Sequence, residues 1–203
     1  MMHYPEFFDA APVIMMRDPL AEFLGAMQDG LMEYRYADVV ALAGHSCPTV
    51  ASAFLMTRAA LNALYPGEVP LRGDLRVELQ GAPAEGTVGV VANVVSYITG
   101  AAGEGGFHGI GGRFERRELL GFGAEAHAEI RFTRTDNGAR AEVSADLSSV
   151  PMDPRVRELL PRCLTQTASP AETGEFRRLW QDRVRRLLLD HKDDPAVILL
   201  RVH

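Results

Sequence analysis

The segment that most constrains this chain runs from His45 to Gly67, HSCPTVASAFLMTRAALNALYPG. After Pro48 the apolar residues Val50, Phe54, Leu61 and Leu64 recur near helical spacing, and Pro66-Gly67 stops the run. This is the most apolar helix in the sequence, and it belongs at the centre of the fold. With 203 residues, 47% of them hydrophobic and 24% charged, the chain can cover it. A domain of this size removes about 70% of its unfolded surface from water. That composition excludes a disordered chain. Cys47 and Cys163 are the only cysteines, which excludes a disulfide scaffold.

Around the central helix, helices and strands interleave. Residues 1–17 form an arm with Met15, Met16 and several aromatics, and residues 18–203 form one domain. Asp18 followed by Pro19 reads as an N-cap opening a short helix through Met27. Residues 31–44 lead from a strand or turn into a buried segment ending at Gly44. Leu75–Leu79 alternates as a strand, and the valine-rich residues 87–99 read as a strand start turning into a helix. Residues 100–112 hold seven glycines in thirteen positions and form a loop. AEAHAEIRFTR and ARAEVSADL alternate around Asp136-Asn137-Gly138, the clearest hairpin signal in the chain. Ser169-Pro170-Ala171-Glu172 is a capping box, and Phe176, Leu179, Trp180, Val184, Leu187 and Leu188 follow on one helical face. AVILLRVH closes as a strand. The expected class is α+β, a mixed, mostly antiparallel sheet packed with helices.

The chemistry concentrates at Gly44-His45-Ser46-Cys47-Pro48. With Pro48 at the first helical position, Cys47 is the N-cap of the apolar helix, where unpaired N–H groups and the positive dipole end favour a thiolate. His45 lies two residues earlier, and both side chains can converge on one small volume. A soft thiolate beside an imidazole suits zinc or a similar transition metal. The same pair could serve as an activated Cys–His nucleophile without metal, for acyl or aldehyde chemistry. A third reading is a buried inert cysteine and a histidine bonded to backbone, in a domain that only binds a small molecule. His108, inside the glycine-rich loop, is the candidate third ligand, against a reading as a solvated loop histidine. His127 reads as a strand-face residue. His3, His191 and His203 read as surface, and Cys163 as an incidental thiol near a helix end.

The run GHSCPTVASAFLMTRAALNAL resembles the signature of the FmdE-like family of formylmethanofuran dehydrogenase components, G-H-x-C-P-G-x-x-x-G-x-x-M opening a long helix. A second family block, C-x-x-D-x-I-x-x-x-T-G-C-T, aligns with VVANVVSYITGAA, where Thr99-Gly100 survives. The later order of hairpin, S-P-x-E and a helix containing Trp180 is also similar, so the resemblance covers roughly residues 18–190. It implies a divergent member of that α+β fold with a zinc or related metal site at His45 and Cys47. The activity it implies is metal-assisted catalysis or metal and cofactor handling. The departures are specific. Val90, Asn93 and Ala101 stand where the family holds Cys, Asp and Cys, and Thr49 replaces its glycine. The resemblance therefore implies no intact set of distal ligands.

Other classes find less in the sequence. The formal net charge is −6, and no aromatic platform accompanies the basic residues, which argues against nucleic acid. Twenty of the 21 cations are arginines, read here as coding bias. The arginines of the last long helix and those at 113, 116 and 117 read as solvated faces. The glycine-rich loop lacks G-x-G-x-x-G and the P-loop pattern, leaving a close ligand approach or a lid. No basic leader and no run of 18 apolar residues is present, which predicts a cytoplasmic protein with no membrane span. The expected partners are a small-molecule ligand or substrate and, from the apolar arm, a second copy in a homodimer.

Overall fold

Burying one apolar helix organises the molecule. The computed structural model describes residues 4–203. In chain order the elements are β1 (Ile14–Arg17), α1 (Pro19–Phe23), β2 (Leu31–Tyr34), α2 (Tyr36–Ala43), α3 (Pro48–Leu64), β3 (Leu75–Leu79) and α4 (Val88–Thr99). Then follow β4 (Leu120–Phe122), β5 (Ile130–Arg134), β6 (Arg140–Ala145), α5 (Arg155–Leu164), α6 (Pro170–Arg185) and β7 (Ile198–Val202). The class is α+β, as expected, and among the described residues no helix is long and apolar enough to cross a membrane.

From Pro48 to Thr57 only Thr49 keeps partial exposure, so α3 is buried on every side through its first half. It packs on α2, α4 and α6 and against strands β6 and β7. The five-stranded sheet runs β4-β3-β5-β6-β7, antiparallel except where β4 lies parallel to β3. Its register puts Val77, Phe132 and Ala141 in one row, and Leu79, Ile130 and Val143 in another. All six are buried. The alternate face carries Glu78, Arg131, Glu142 and Arg201 in register, with Arg131 Nε 2.9 Å from Glu142 Oε1. This alternation is what an antiparallel sheet with one covered face requires.

Several local signals act as expected. Gly44, at φ 73°, closes α2, and the Ser169–Glu172 capping box opens α6. Others differ for identifiable reasons. Residues 88–99 are helical throughout, because Val91, Val94, Val95 and Ile98 lie at helical spacing and are buried where α4 meets α3. That packing overrides the strand preference of valine. The helix after Asp18 ends at Phe23 rather than Met27. Gly25, at φ 69°, closes it with bonds from Gly25 N to Glu22 O and from Ala26 N to Ala21 O, a Schellman pair. The strand expected to include His127 begins only at Ile130, leaving His127 exposed ahead of it.

The segment before Asp18 does more than lie on the body. Ile14–Arg17 pairs antiparallel with β2, Met16 is fully buried, and Phe8 sits edge-on to the buried Tyr36 ring at 4.9 Å. Part of the apolar content that suggested a partner copy is thus used inside the chain. His3 lies outside the described residues.

The glycine-rich loop has no regular element, and its first glycine, Gly100, lies against one of the chain's own side chains. Arg116 folds back into the protein, with its backbone N–H on Phe107 O and its carbonyl accepting from Ala102 N. Its guanidinium lies against Gly73 and Gly100, both at positive φ. A Cβ on Gly73 would stand 1.7 Å from Arg116 Nη1. Arg116 Nη2 donates to Asp18 Oδ1 at 2.8 Å, and Arg72 Nη1 donates to Asp18 Oδ2 at 2.9 Å. The same carboxylate caps α1 through Leu20 N and Ala21 N. Burial opposes the charge of Asp18, but Arg72, Arg116 and the two N–H groups outweigh it and hold the carboxyl below its ordinary range.

Candidate functional site

The site is built where α2 hands over to α3. Gly44 turns the chain out of α2, and its N–H bonds Val40 O at 2.9 Å. His45 Nδ1 lies 2.9 Å from Ala43 O. A carbonyl can only accept, so Nδ1 carries a proton, and in the neutral form of the ring Nε2 is the acceptor. His45 is exposed.

Ser46 is held from three sides. Its carbonyl accepts from Trp180 Nε1 at 3.0 Å and from Gln181 Nε2 at 3.2 Å. Its hydroxyl donates to Gln181 Oε1 at 3.0 Å, so the Tyr36 hydroxyl, also 3.0 Å away, is the donor to Ser46 Oγ. Burial pushes the Tyr36 hydroxyl well above its ordinary range, against the smaller opposing effect of Ser46, and keeps it protonated for that role. Every polar atom of the Ser46 side chain and carbonyl is therefore committed to holding the turn against α6. This leaves Ser46 without a base to activate it as a nucleophile.

Above the turn opens a pocket of about 570 Å³. The rings of Tyr4, Phe8, Phe176 and Trp180 line it, with Pro5 and Val40 between them. Phe176 and Trp180 lie 5.7 Å apart and Tyr4 stacks on Phe8 at 5.6 Å, so the rings fall into two pairs. The polar contributions come from His45, Ser46, Gln181, Arg177 and the hydroxyl of Tyr4. Because Ser46 and Gln181 satisfy each other, His45, Arg177 and the Tyr4 hydroxyl are the groups left for a ligand. A cavity of roughly 300–1,000 Å³ with apolar walls and few polar handles is the usual form of a small-molecule site.

The three residues marked in the sequence lie in different settings. Cys47 is the backbone N-cap of α3, in extended conformation, and its half-buried side chain packs against the core rather than lining the pocket. No hydrogen bond joins it to a histidine among the described residues. His108 is exposed on the glycine-rich loop. Among the described residues no group of three or more His, Cys, Asp or Glu side chains is placed to hold a metal ion. Both cysteines are free, Cys163 near the end of α5.

The remaining candidates are committed elsewhere. His191 Nδ1 bonds Asp194 at 2.9 Å, and His203 lies 3.8 Å from Glu142. Arg113 stacks over the Phe114 ring, Arg117 pairs with Glu115, and Arg116 is buried on Asp18. On α6 and the π-helical turn that continues it, Arg178 pairs with Glu175, Arg185 with Asp190, and Arg186 with Asp182. Arg183 donates to Val150 O. Among the arginines of α6 and that turn, Arg177 alone makes neither a side-chain hydrogen bond nor an ion pair among the described residues.

Sequence reasoning missed Tyr4, Tyr36 and Gln181 as parts of the site. It placed Phe176 and Trp180 on one helical face with Leu179, Val184, Leu187 and Leu188; those four are buried, whereas Phe176 and Trp180 line the cavity. No protein-family model matches this chain, and no curated protein matches it in sequence.

Proposed function

We propose that this protein binds a small, largely apolar molecule in the pocket above the Gly44–Pro48 turn, with His45 as its polar handle. One observation carries the reading. The turn presents His45 to an aromatic-walled cavity, while its serine is spent on fixing the turn and its cysteine packs inward. A fixed tautomer on a rigid turn is a pre-organised acceptor, which a hydroxyl or N–H of a ligand can use without reordering the protein.

Trp180 is the sole tryptophan in the chain and lines the pocket, so its fluorescence reports occupancy directly. Titration with neutral phenylbutanol should change that fluorescence saturably. A Val40→Phe variant, which fills the cavity, should weaken the response about tenfold. Absence of any saturable response to apolar probes, charged or neutral, removes the reading.

A second reading, a zinc or related ion held by His45 and Cys47 in an FmdE-like protein, is favoured by one detail. Nδ1 of His45 is anchored on a backbone carbonyl, the outer contact that leaves Nε2 free for a metal. The chain supplies two donors for it, and a bound molecule would have to complete the set. Equilibrium dialysis of the protein with zinc, beside His45→Ala and Cys47→Ser variants, tests it. Zinc retained by wild type and lost by both variants supports it, and zinc lost by all three removes it.

A further inference from the structure

We propose that the pocket selects anions, and that its ligand is an aromatic or aryl-alkyl monocarboxylate whose carboxylate is met by Arg177. This rests on the pocket being a binding site and adds the charge of what binds there.

The lining has the opposite sign to the protein. The chain carries 27 acidic residues against 21 basic ones, yet no Asp or Glu lines this cavity. Its charged or titratable residues are Tyr4, His45 and Arg177. An apolar wall beside a guanidinium lowers the local dielectric and strengthens what that cation does to an anion.

Arg177 is also the cation left over on its helix. Of its neighbours there and on the following turn, Arg178 pairs with Glu175, Arg185 with Asp190 and Arg186 with Asp182, while Arg183 turns inward onto the carbonyls of Val150 and Leu147. Arg177 borders both the pocket and the adjoining groove that holds Asp182, but Asp182 is taken by Arg186 at 3.0 Å. Arg177 thus keeps its full planar fork for a carboxylate, the geometry guanidinium matches best. Shape then narrows the class. Two pairs of aromatic rings accept a flat or slender apolar body, and a single cation at one side leaves room for one anionic end, not two.

The test compares phenylbutyrate with phenylbutanol, near-isosteres differing in charge, by Trp180 fluorescence and by calorimetry. The acid should bind about tenfold tighter, the size expected for one charge-assisted pair that is partly solvated. Arg177→Gln should abolish the difference while leaving the alcohol unaffected, and Arg177→Lys should restore part of it. Arg178→Gln removes the same charge one residue away, from a group outside the pocket, and should leave the preference intact. Equal affinity for acid and alcohol, or loss of the preference in both glutamine variants alike, overturns the anion proposal and leaves the pocket standing. If neither probe binds, the pocket reading and this inference fall together.

Discussion

The Asp18 centre and the Gly44–Pro48 turn are both knots of polar groups inside an apolar protein, and they differ in how they are closed. At Asp18 one carboxylate collects two guanidinium groups and two helix N–H groups, and glycines at positions 73 and 100 seal it with backbone. At the turn, Ser46, Gln181, Trp180 and Tyr36 satisfy one another, and the side left open faces a cavity. The first knot ties distant segments together inside the protein. The second fixes a loop so that two neighbours, His45 and Arg177, remain available.

The comparison breaks most visibly at Asp18. Asp18→Asn leaves two guanidinium groups without their counter-charge, and loss of one partner from a buried pair costs about 3–5 kcal/mol. Denaturant unfolding should show that loss. Acid should reproduce part of it. The fold holds the Asp18 carboxyl below its ordinary range, so its contribution is complete above about pH 4 and drains away as pH falls through the lower folded value. The wild-type stability should fall in that window more steeply than that of Asp18→Asn.

At the turn the expected effects are smaller and divide differently. Gln181→Ala leaves the Ser46 hydroxyl without its acceptor and should cost about 1–3 kcal/mol. It should also weaken pocket binding, whereas Asp18→Asn, wherever the protein stays folded, should not. Cys47→Ser is the mildest change. The backbone at Cys47 is extended, as an N-cap requires, and no side chain caps α3, so serine can supply the missing bond. Thermal unfolding should show a gain of up to about 1 kcal/mol. A loss of several kcal/mol would instead mark Cys47 as a packing residue that tolerates no hydroxyl.

The two knots are not equally legible in the sequence. Asp18-Pro19 announces a cap, and the apolar run after Pro48 announces the central helix, because both signals are local. The guanidinium partners of Asp18 lie 54 and 98 residues away, and no spacing rule joins them. The glycine-rich loop reads as a close ligand approach or a lid, because the contact of Gly100 with Arg116 depends on that distant partner. The turn residues His45 and Ser46 are visible as a motif. Which of them faces outward is not, since α6 decides that through Trp180 and Gln181. Residues 88–99 read partly as strand for the same reason: valine spacing fits a helix only once α3 is there to be covered.

The clamp has a consequence for how the protein comes into being. Ser46 and Trp180 are 134 residues apart along the chain. At about 5–20 residues per second of synthesis, the turn exists for on the order of ten seconds before the helix that closes it emerges. During that interval the cavity has one wall. Docking of α6 is therefore a late event, and a molecule that fits the finished cavity binds only the finished state. By mass action it would add about 2.7 kcal/mol at a hundredfold excess over its dissociation constant. The ligand would then act as a checkpoint on completion of the fold, holding in place the last wall to arrive.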